Sequence, residues 1–490
     1  MNENIIIIGS GFSSLSAACY LAKDGYNVTI LEKNSTIGGR ARQLKKDGFT
    51  FDIGPTWYWM PDVFERFFSD FNKKPSDYYT LEKLNPAYKV FFGQNDSISI
   101  SDNINDIYKT FEKEEKGSAV KLKRFIKKAQ NNYDVAIKDL VYNPGLSPFE
   151  LISSKTITKL SQFLGNIKND VSKKFKNKRL VQILEFPVLF LGAKPSDTPS
   201  FYNFMNYADF GLGTWYPKNG MYSVVEAMTE LALDLGVVFH TNCPVKKILV
   251  EKGKCIGVIS NNKEISADIV ISGADYHHSE SLLDKKYRAY SESYWEKKIF
   301  APSSLLFYVG FNKKLANVNH HTLFFDVDFD KHAKAIYDNP SWPDEPLFYA
   351  SFPSKTDKLA APEGQEAGIF LIPLAPGIKD TPELREKYFE IILKRFEKNT
   401  NQEIKNNILF KESFCVNDFV KDYNSYKGNA YGMANTLLQT AFLRPKLKSK
   451  KVKNLYFTGQ LTVPGPGVPP SLISGKLTAE LITKQFKVGK

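Results

Sequence analysis

The chain opens on an unbroken apolar run, Ile5-Ile6-Ile7-Ile8, that stops at Gly9-Ser10-Gly11. Four isoleucines without polar alternation predict a strand buried on both faces. Beyond the glycines the period changes, and Leu15, Ala18, Cys19 and Ala22 recur at helical spacing until Gly25. Val28 to Leu31 is a second apolar run and ends on Glu32. Gly48 to Thr56 then reads as an alternating strand closing in a Gly54-Pro55 turn. Residues 58–220 read as mainly helical and basic, with scattered aromatics. Met221, Val224, Val225, Met228, Leu231, Ala232 and Leu235 share one helical face up to Gly236. Short strands are predicted at 237–240, 245–250, 255–259 and 267–271, a meander rejoining the first sheet. Residues 285–445 read as a second α/β region, with strands at 304–309 and 368–374 and a helix over 382–396. The final pattern is a strand over 454–460, a proline–glycine loop, and a helix from Ser471 to Phe486. Each end of the chain therefore supplies a strand–turn–helix unit.

The first turn carries chemistry. Glycines between a buried strand and a helix let the backbone approach a pyrophosphate, while the helix N-terminus faces its charge. Glu32, at the end of the next strand, is placed to accept hydrogen bonds from adenosine ribose hydroxyls and repels a ribose phosphate. The unit thus predicts a dinucleotide and disfavours NADP. Ser14 stands where the fingerprint has its third glycine, a position that packs helix against strand.

Composition narrows the class. A chain of 490 residues with 42% hydrophobic and 24% charged residues is that of a globular protein with ample core, and its length suggests about three domains. Cys19, Cys243, Cys255 and Cys415 form no C-x-x-C pair and read as reduced thiols of a cytosolic protein. The adjacent pairs His277-His278 and His320-His321 point in divergent directions, so no metal site is expected. Nothing resembles a signal peptide or a membrane span. The net charge of +13 is uneven, with basic blocks at 121–128 and 173–179, the second leading into an apolar run that ends at Leu191. Basic clusters beside apolar segments suit an anionic membrane surface; no nucleic-acid motif accompanies them.

These residues carry a resemblance. The glycine turn, Glu32, Gly38-Gly39-Arg40-Ala41, Asp52-Ile53-Gly54-Pro55-Thr56, and the ending Phe457-Thr458-Gly459 with Pro464-Gly465-Pro466-Gly467-Val468-Pro469 resemble the flavin amine-oxidase-like superfamily. Within it the chain is similar, nearly end to end, to the bacterial CrtI-type phytoene desaturases. The resemblance implies an α/β fold: a Rossmann-like FAD-binding domain assembled from residues 1–85, 220–285 and 445–490. It further implies a mainly helical, basic region over 86–219 that meets the membrane and admits substrate, and an α+β substrate domain over 286–444.

Carried over by position, Gly9, Gly11, Ser13 and Ser14 would line the pyrophosphate, and Glu32 with Lys33 the adenosine ribose. Gly39 and Arg40 would contact the phosphate or ribityl region, Gly54, Pro55 and Thr56 the flavin ring, and Val245 the adenine. Gly459 and Gln460 would lie on the pyrophosphate side, and Gly467, Val468 and Pro469 at the pyrimidine edge. Asn219 replaces an expected glycine before Gly220, and Gln460 replaces an acid often found after Gly459. The implied reaction is desaturation of phytoene to lycopene or a partly desaturated intermediate. Oxygen or a quinone is the expected electron acceptor, and the cytoplasmic membrane surface the location. Hydroxycarotenoid or diapocarotenoid desaturation, isomerisation, and a non-catalytic flavin-fold membrane protein are the alternatives.

The residues suit that chemistry. A flavin gathers negative charge at its pyrimidine end on reduction, and a helix N-terminus after Pro469-Pro470 would stabilise it. A hydrocarbon substrate needs an apolar tunnel, for which Trp57-Tyr58-Trp59 and Phe201, Tyr202, Phe204, Tyr207, Phe210, Trp215 and Tyr216 are candidate walls. No catalytic acid or base stands out. Glu185 and Asp209, carboxylates near the aromatic stretches, read as structural.

Overall fold

The computed structural model describes residues 3–151, 156 and 158–487. Its organising element is a parallel sheet of five strands in the order Leu455–Phe457, Ile269–Ser272, Asn4–Ile8, Asn27–Leu31, Val238–His240. The isoleucine run occupies the centre, where both faces are covered: Ile5 and Ile7 join the core around the helix Phe12–Lys23, while Ile6 and Ile8 pack with Val270, Leu455 and Phe457. That is why the run shows no alternation. The helices Phe12–Lys23, Tyr222–Asp234 and Val468–Lys487 cover one face together. The two ends of the chain thus meet, and a Cβ on Gly475 would lie 2.3 Å from the Ser13 carbonyl.

The predicted meander divides. Val238–His240 and Ile269–Ser272 enter the parallel sheet, whereas Val245–Glu251, Lys254–Ser260 and Lys263–Ser266 form a separate three-stranded antiparallel sheet. A seven-stranded mixed sheet makes the second layer system, in the order Ile408–Phe414, Ser303–Phe311, Glu366–Leu374, Phe348–Ser351, His321–Phe324, Tyr88–Gly93, Asp96–Ile100. The last two strands correct the expectation of a mainly helical 58–220. Their partner, His321–Phe324, lies far along the chain, so the expected assignment of 86–219 and 286–444 to separate regions divides the strands of one sheet.

The helical region contains Ile104–Glu114, Ser118–Val135, Lys178–Glu185 and Phe204–Phe210. Its second basic block does not lead into an exposed apolar face. Leu180, Ile183, Leu184, Phe186, Val188 and Leu191 are all buried in the core that also holds Trp59 and Phe204. Several block cations are tied up in ion pairs, Lys121 with Glu115, Lys128 and Lys174 with Asp170, and Arg179 with Asp96 and Glu114. No helix among the described residues is long and apolar enough to cross a membrane.

Candidate functional site

The C-terminal edge of the parallel sheet opens onto one cavity of about 1170 Å³. Ile8, Leu31, Gly273 and Thr458, at the ends of four strands, form its floor. Ligands of open α/β sheets bind at this edge. The volume exceeds the roughly 300–1,000 Å³ of ordinary small-molecule pockets, leaving room for a large cofactor and a substrate together.

The first half of the cavity is a backbone cradle. Gly9 has φ +86° and its N–H donates to the Leu31 carbonyl at 2.8 Å, which turns the chain sharply off the strand. Gly11 caps the helix Phe12–Lys23 without a side-chain acceptor for the first-turn N–H groups, so those donors await an anion. A Cβ on Gly39 would stand 3.1 Å from the Gly11 Cα, and one on Gly54 would be 2.0 Å from the Arg40 carbonyl oxygen. Three glycine turns from separate segments thus stack closely enough to exclude side chains between them. Gly459, with φ +106°, comes within reach of the Ser13 hydroxyl from the other side. Lys33 reaches the Lys421 carbonyl at 2.7 Å, and Glu32 accepts from the Ser10 N–H (3.0 Å), the Ser10 hydroxyl (2.6 Å) and the Asn34 N–H (2.8 Å). Glu32 is therefore oriented before any ligand arrives.

Gly9, Gly11, Ser13, Glu32, Lys33, Gly39, Arg40, Gly54, Pro55, Thr56, Val245, Gly459, Gln460, Gly467, Val468 and Pro469 all line this cavity. Ser14 does not. It faces back onto the sheet, where a Cβ on Gly273 would be 2.0 Å from its hydroxyl oxygen. The packing role normally met by a glycine on the helix is met here by Gly273 opposite. Asn219 likewise adopts the left-handed conformation, φ +69°, that a glycine would take; asparagine tolerates it better than most residues. The Gln460 amide, with its oxygen toward the guanidinium, accepts from Arg40 at 3.1 Å and from the Gly432 N–H at 3.3 Å.

The second half is apolar. Trp57, Trp59, Phe186, Leu189, Phe201, Tyr202, Phe204, Met205 and Phe325 line it. Tyr58, Tyr207, Phe210, Trp215 and Tyr216, expected candidates for the wall, are elsewhere; Tyr58 stacks on Phe64 at 4.2 Å and bonds the Tyr79 hydroxyl at 2.8 Å. Glu185 and Asp209 lie outside the lining, and burial pushes their carboxyls up to about 7 and about 8. The polar contacts nearest the glycine cradle run from Thr56 to the Tyr349 hydroxyl (2.9 Å) and on to His321 Nδ1 (2.6 Å), whose ring stacks on Trp57 at 4.0 Å. Burial drives the His321 pKa well down, so the ring is neutral.

Asp275 also lines the cavity and was not among the candidates read from the sequence. Asp275 follows Ser272-Gly273-Ala274 at the end of a parallel strand and caps its helix through the His277 N–H at 3.1 Å. Its carboxyl is pushed up by burial and drawn back down mainly by Arg40. The glycine after an apolar strand was the available signal, identical in kind to the opening turn.

Residues 12–483 match the model of the flavin containing amine oxidoreductases. The chain is 40% identical over 488 residues to a carotenoid 3,4-desaturase of Haloarcula japonica, covering 99% of each protein. It is 30% identical to a zeta-carotene-forming phytoene desaturase of Myxococcus xanthus, covering 98% of this chain and 93% of that one. An oxidoreductase from Methanosarcina mazei shares the fold at a TM-score of 0.62 and 17% identity, covering 97% of this chain and 100% of that one. The chain belongs to the flavin-containing amine oxidoreductase family, in its CrtI-type carotenoid desaturase branch. It is an FAD-dependent oxidoreductase acting on CH–CH groups in carotenoid desaturation.

FAD fits the observed cradle: uncapped helix N–H groups for the pyrophosphate, an oriented carboxylate for the ribose, and glycine turns that admit the ring. When bound, FAD supplies the two-electron acceptor. The protein's own side chains position it and keep water from the apolar chamber beside it.

Proposed function

We propose that this protein desaturates a linear carotenoid close to its end, at the 3,4 position. The observation that carries this reading is the end-to-end identity of 40% with a carotenoid 3,4-desaturase, against 30% with a phytoene desaturase. The FAD-binding domain is then the parallel sheet with its three covering helices, assembled from discontinuous segments. The chamber lined by Trp57, Phe186, Phe201 and Phe204 holds the polyene beside the flavin, by shape and dispersion alone. Glu185 and Asp209 lie outside the lining and do not contact the polyene in this reading.

A carotenoid is delivered from a membrane, and the cavity rim supports peripheral docking. Leu438 lines the rim and is 75% exposed; Leu146 and Phe149, exposed by 57% and 77%, flank the lining residues Ser147 and Glu150. This moves the proposed membrane contact from the basic blocks to the 146–149 and 437–443 turns. Oxygen or a quinone reoxidises the flavin in this reading, at the cytoplasmic face of the membrane.

Conversion of phytoene to lycopene or a partly desaturated intermediate is the second reading, supported by the identity with the M. xanthus enzyme. Chromatography of products from liposomes loaded with phytoene or with lycopene separates the two. Terminal desaturation predicts that lycopene gains a double bond and phytoene is unchanged; turnover of phytoene alone would reverse the assignment.

A further inference from the structure

Arg444 follows the short turn Ala441–Leu443 and is only 2% exposed. Its guanidinium donates to three neutral oxygens: the Met433 carbonyl at 2.7 Å, the Asn435 side chain at 2.5 Å and the Gln460 carbonyl at 3.1 Å. Nε has no partner. The ionisable groups acting on it are the hydroxyls of Tyr202 and Tyr294, with no carboxylate among them. Burial lowers its pKa to about 10, which leaves it protonated at neutral pH. A fully buried cation without a counter-ion is costly to keep, and its upkeep calls for an anion that none of the described residues provides.

The position says which anion. Asn435 and Gln460 line the cavity, and a Cβ on Gly465 would fall 2.9 Å from the Asn435 oxygen and 3.2 Å from Arg444 Nη2. The guanidinium therefore lies one peptide layer behind the loop Gln460–Gly467. That loop feeds the helix Val468–Lys487, whose first residues also line the cavity. Two positive groups, a helix N-terminus and Arg444, converge on one stretch of wall. The dinucleotide phosphates have their own donors on the helix Phe12–Lys23. The Arg444 side adjoins the apolar chamber through Leu437, Leu438 and Thr440, which is where the redox end must lie.

We propose that Arg444 is the built-in counter-charge for the flavin ring, acting through the Gln460–Gly467 loop to raise the reduction potential of bound FAD. Desaturation removes two electrons and two protons from the carotenoid. With FAD bound, the cofactor would supply the acceptor for both electrons and one proton, which adds one negative charge beside this wall, and the second proton would be released to bulk solvent outside the chamber. Arg444 touches no reacting atom and is a positioning residue whose effect is electrostatic.

The test is the potential of the FAD-loaded full-length protein, measured by dye equilibration on the fraction that carries flavin. Arg444→Met is expected to lower it by at least the equivalent of a tenfold change in the oxidised-to-reduced ratio, about 30 mV for a two-electron couple. Arg444→Lys keeps the charge and is expected to stay within that margin. Asn435→Asp keeps the acceptor but neutralises the guanidinium, and is expected to lower the potential as well. If Arg444→Met reduces flavin content while the bound fraction keeps the wild-type potential, Arg444 is a strut and the proposal fails. Should that variant not fold, an unchanged potential in Asn435→Asp overturns it equally.

Discussion

The Tyr88 hydroxyl donates to Asp209 at 2.7 Å, in a setting where burial raises the carboxyl to about 8. In the unfolded chain the same group titrates near 4. A carboxyl whose pKa rises on folding contributes stability that is complete below its unfolded value and lost as pH climbs through the folded one. Between about pH 4 and 8 Asp209 therefore makes the fold progressively less stable. Asp209→Asn removes the titration, so the wild-type unfolding midpoint should decline against that of the variant as pH rises across this window. Parallel curves would show that the group does not titrate there. Asp209 and Glu185 both lie outside the cavity lining, and burial raises both carboxyls.

The helix Tyr222–Asp234 shows how far local signals reach. Its apolar face and the terminating Gly236 are plain in the sequence, but its N-terminus is satisfied from elsewhere. Asp52 accepts from the Met221 N–H at 2.7 Å and the Tyr222 N–H at 3.2 Å, across 169 residues of chain. Gly220 must be a glycine because a Cβ would stand 2.4 Å from that carboxylate. Asp52→Ala is expected to cost about 1–2 kcal/mol, as loss of a helix cap does, and Asp52→Asn less, read by chemical denaturation; equal stability of all three proteins would refute the capping role. The opening strand, turn and helix were legible because each is local: unbroken isoleucines, then glycines, then a helical period. The strands Tyr88–Gly93 and Asp96–Ile100 were not, since the sheet that holds them is completed by residues more than two hundred positions later. The apolar stretch ending at Leu191 misled for a related reason. An amphipathic pattern states that one face is covered, and it does not state whether protein or lipid covers it. Ser14 was read as a packing position and as a pyrophosphate contact; it packs on Gly273 from a distant strand and does not line the cavity.

Across the whole molecule, a cofactor cradle built by both chain ends opens into an apolar chamber whose rim exposes leucine and phenylalanine. Apolar side chains at a cavity mouth favour contact with a lipid surface. The double variant Phe149→Glu with Leu438→Glu is expected to reduce co-sedimentation with anionic liposomes at least fivefold, on the scale that burying two such side chains implies, while its flavin content is unchanged. Undiminished binding would place the membrane contact elsewhere, with the basic blocks first in line. Carotenoid desaturation by this protein requires electrons to pass from the carotenoid to the bound flavin. Anaerobic mixing of the FAD-loaded protein with carotenoid-bearing liposomes measures this directly. Bleaching of the flavin's visible absorption in step with a red shift of the polyene is the predicted result. A flavin that stays oxidised beside every linear carotenoid offered, yet is reduced by chemical reductant, would contradict it.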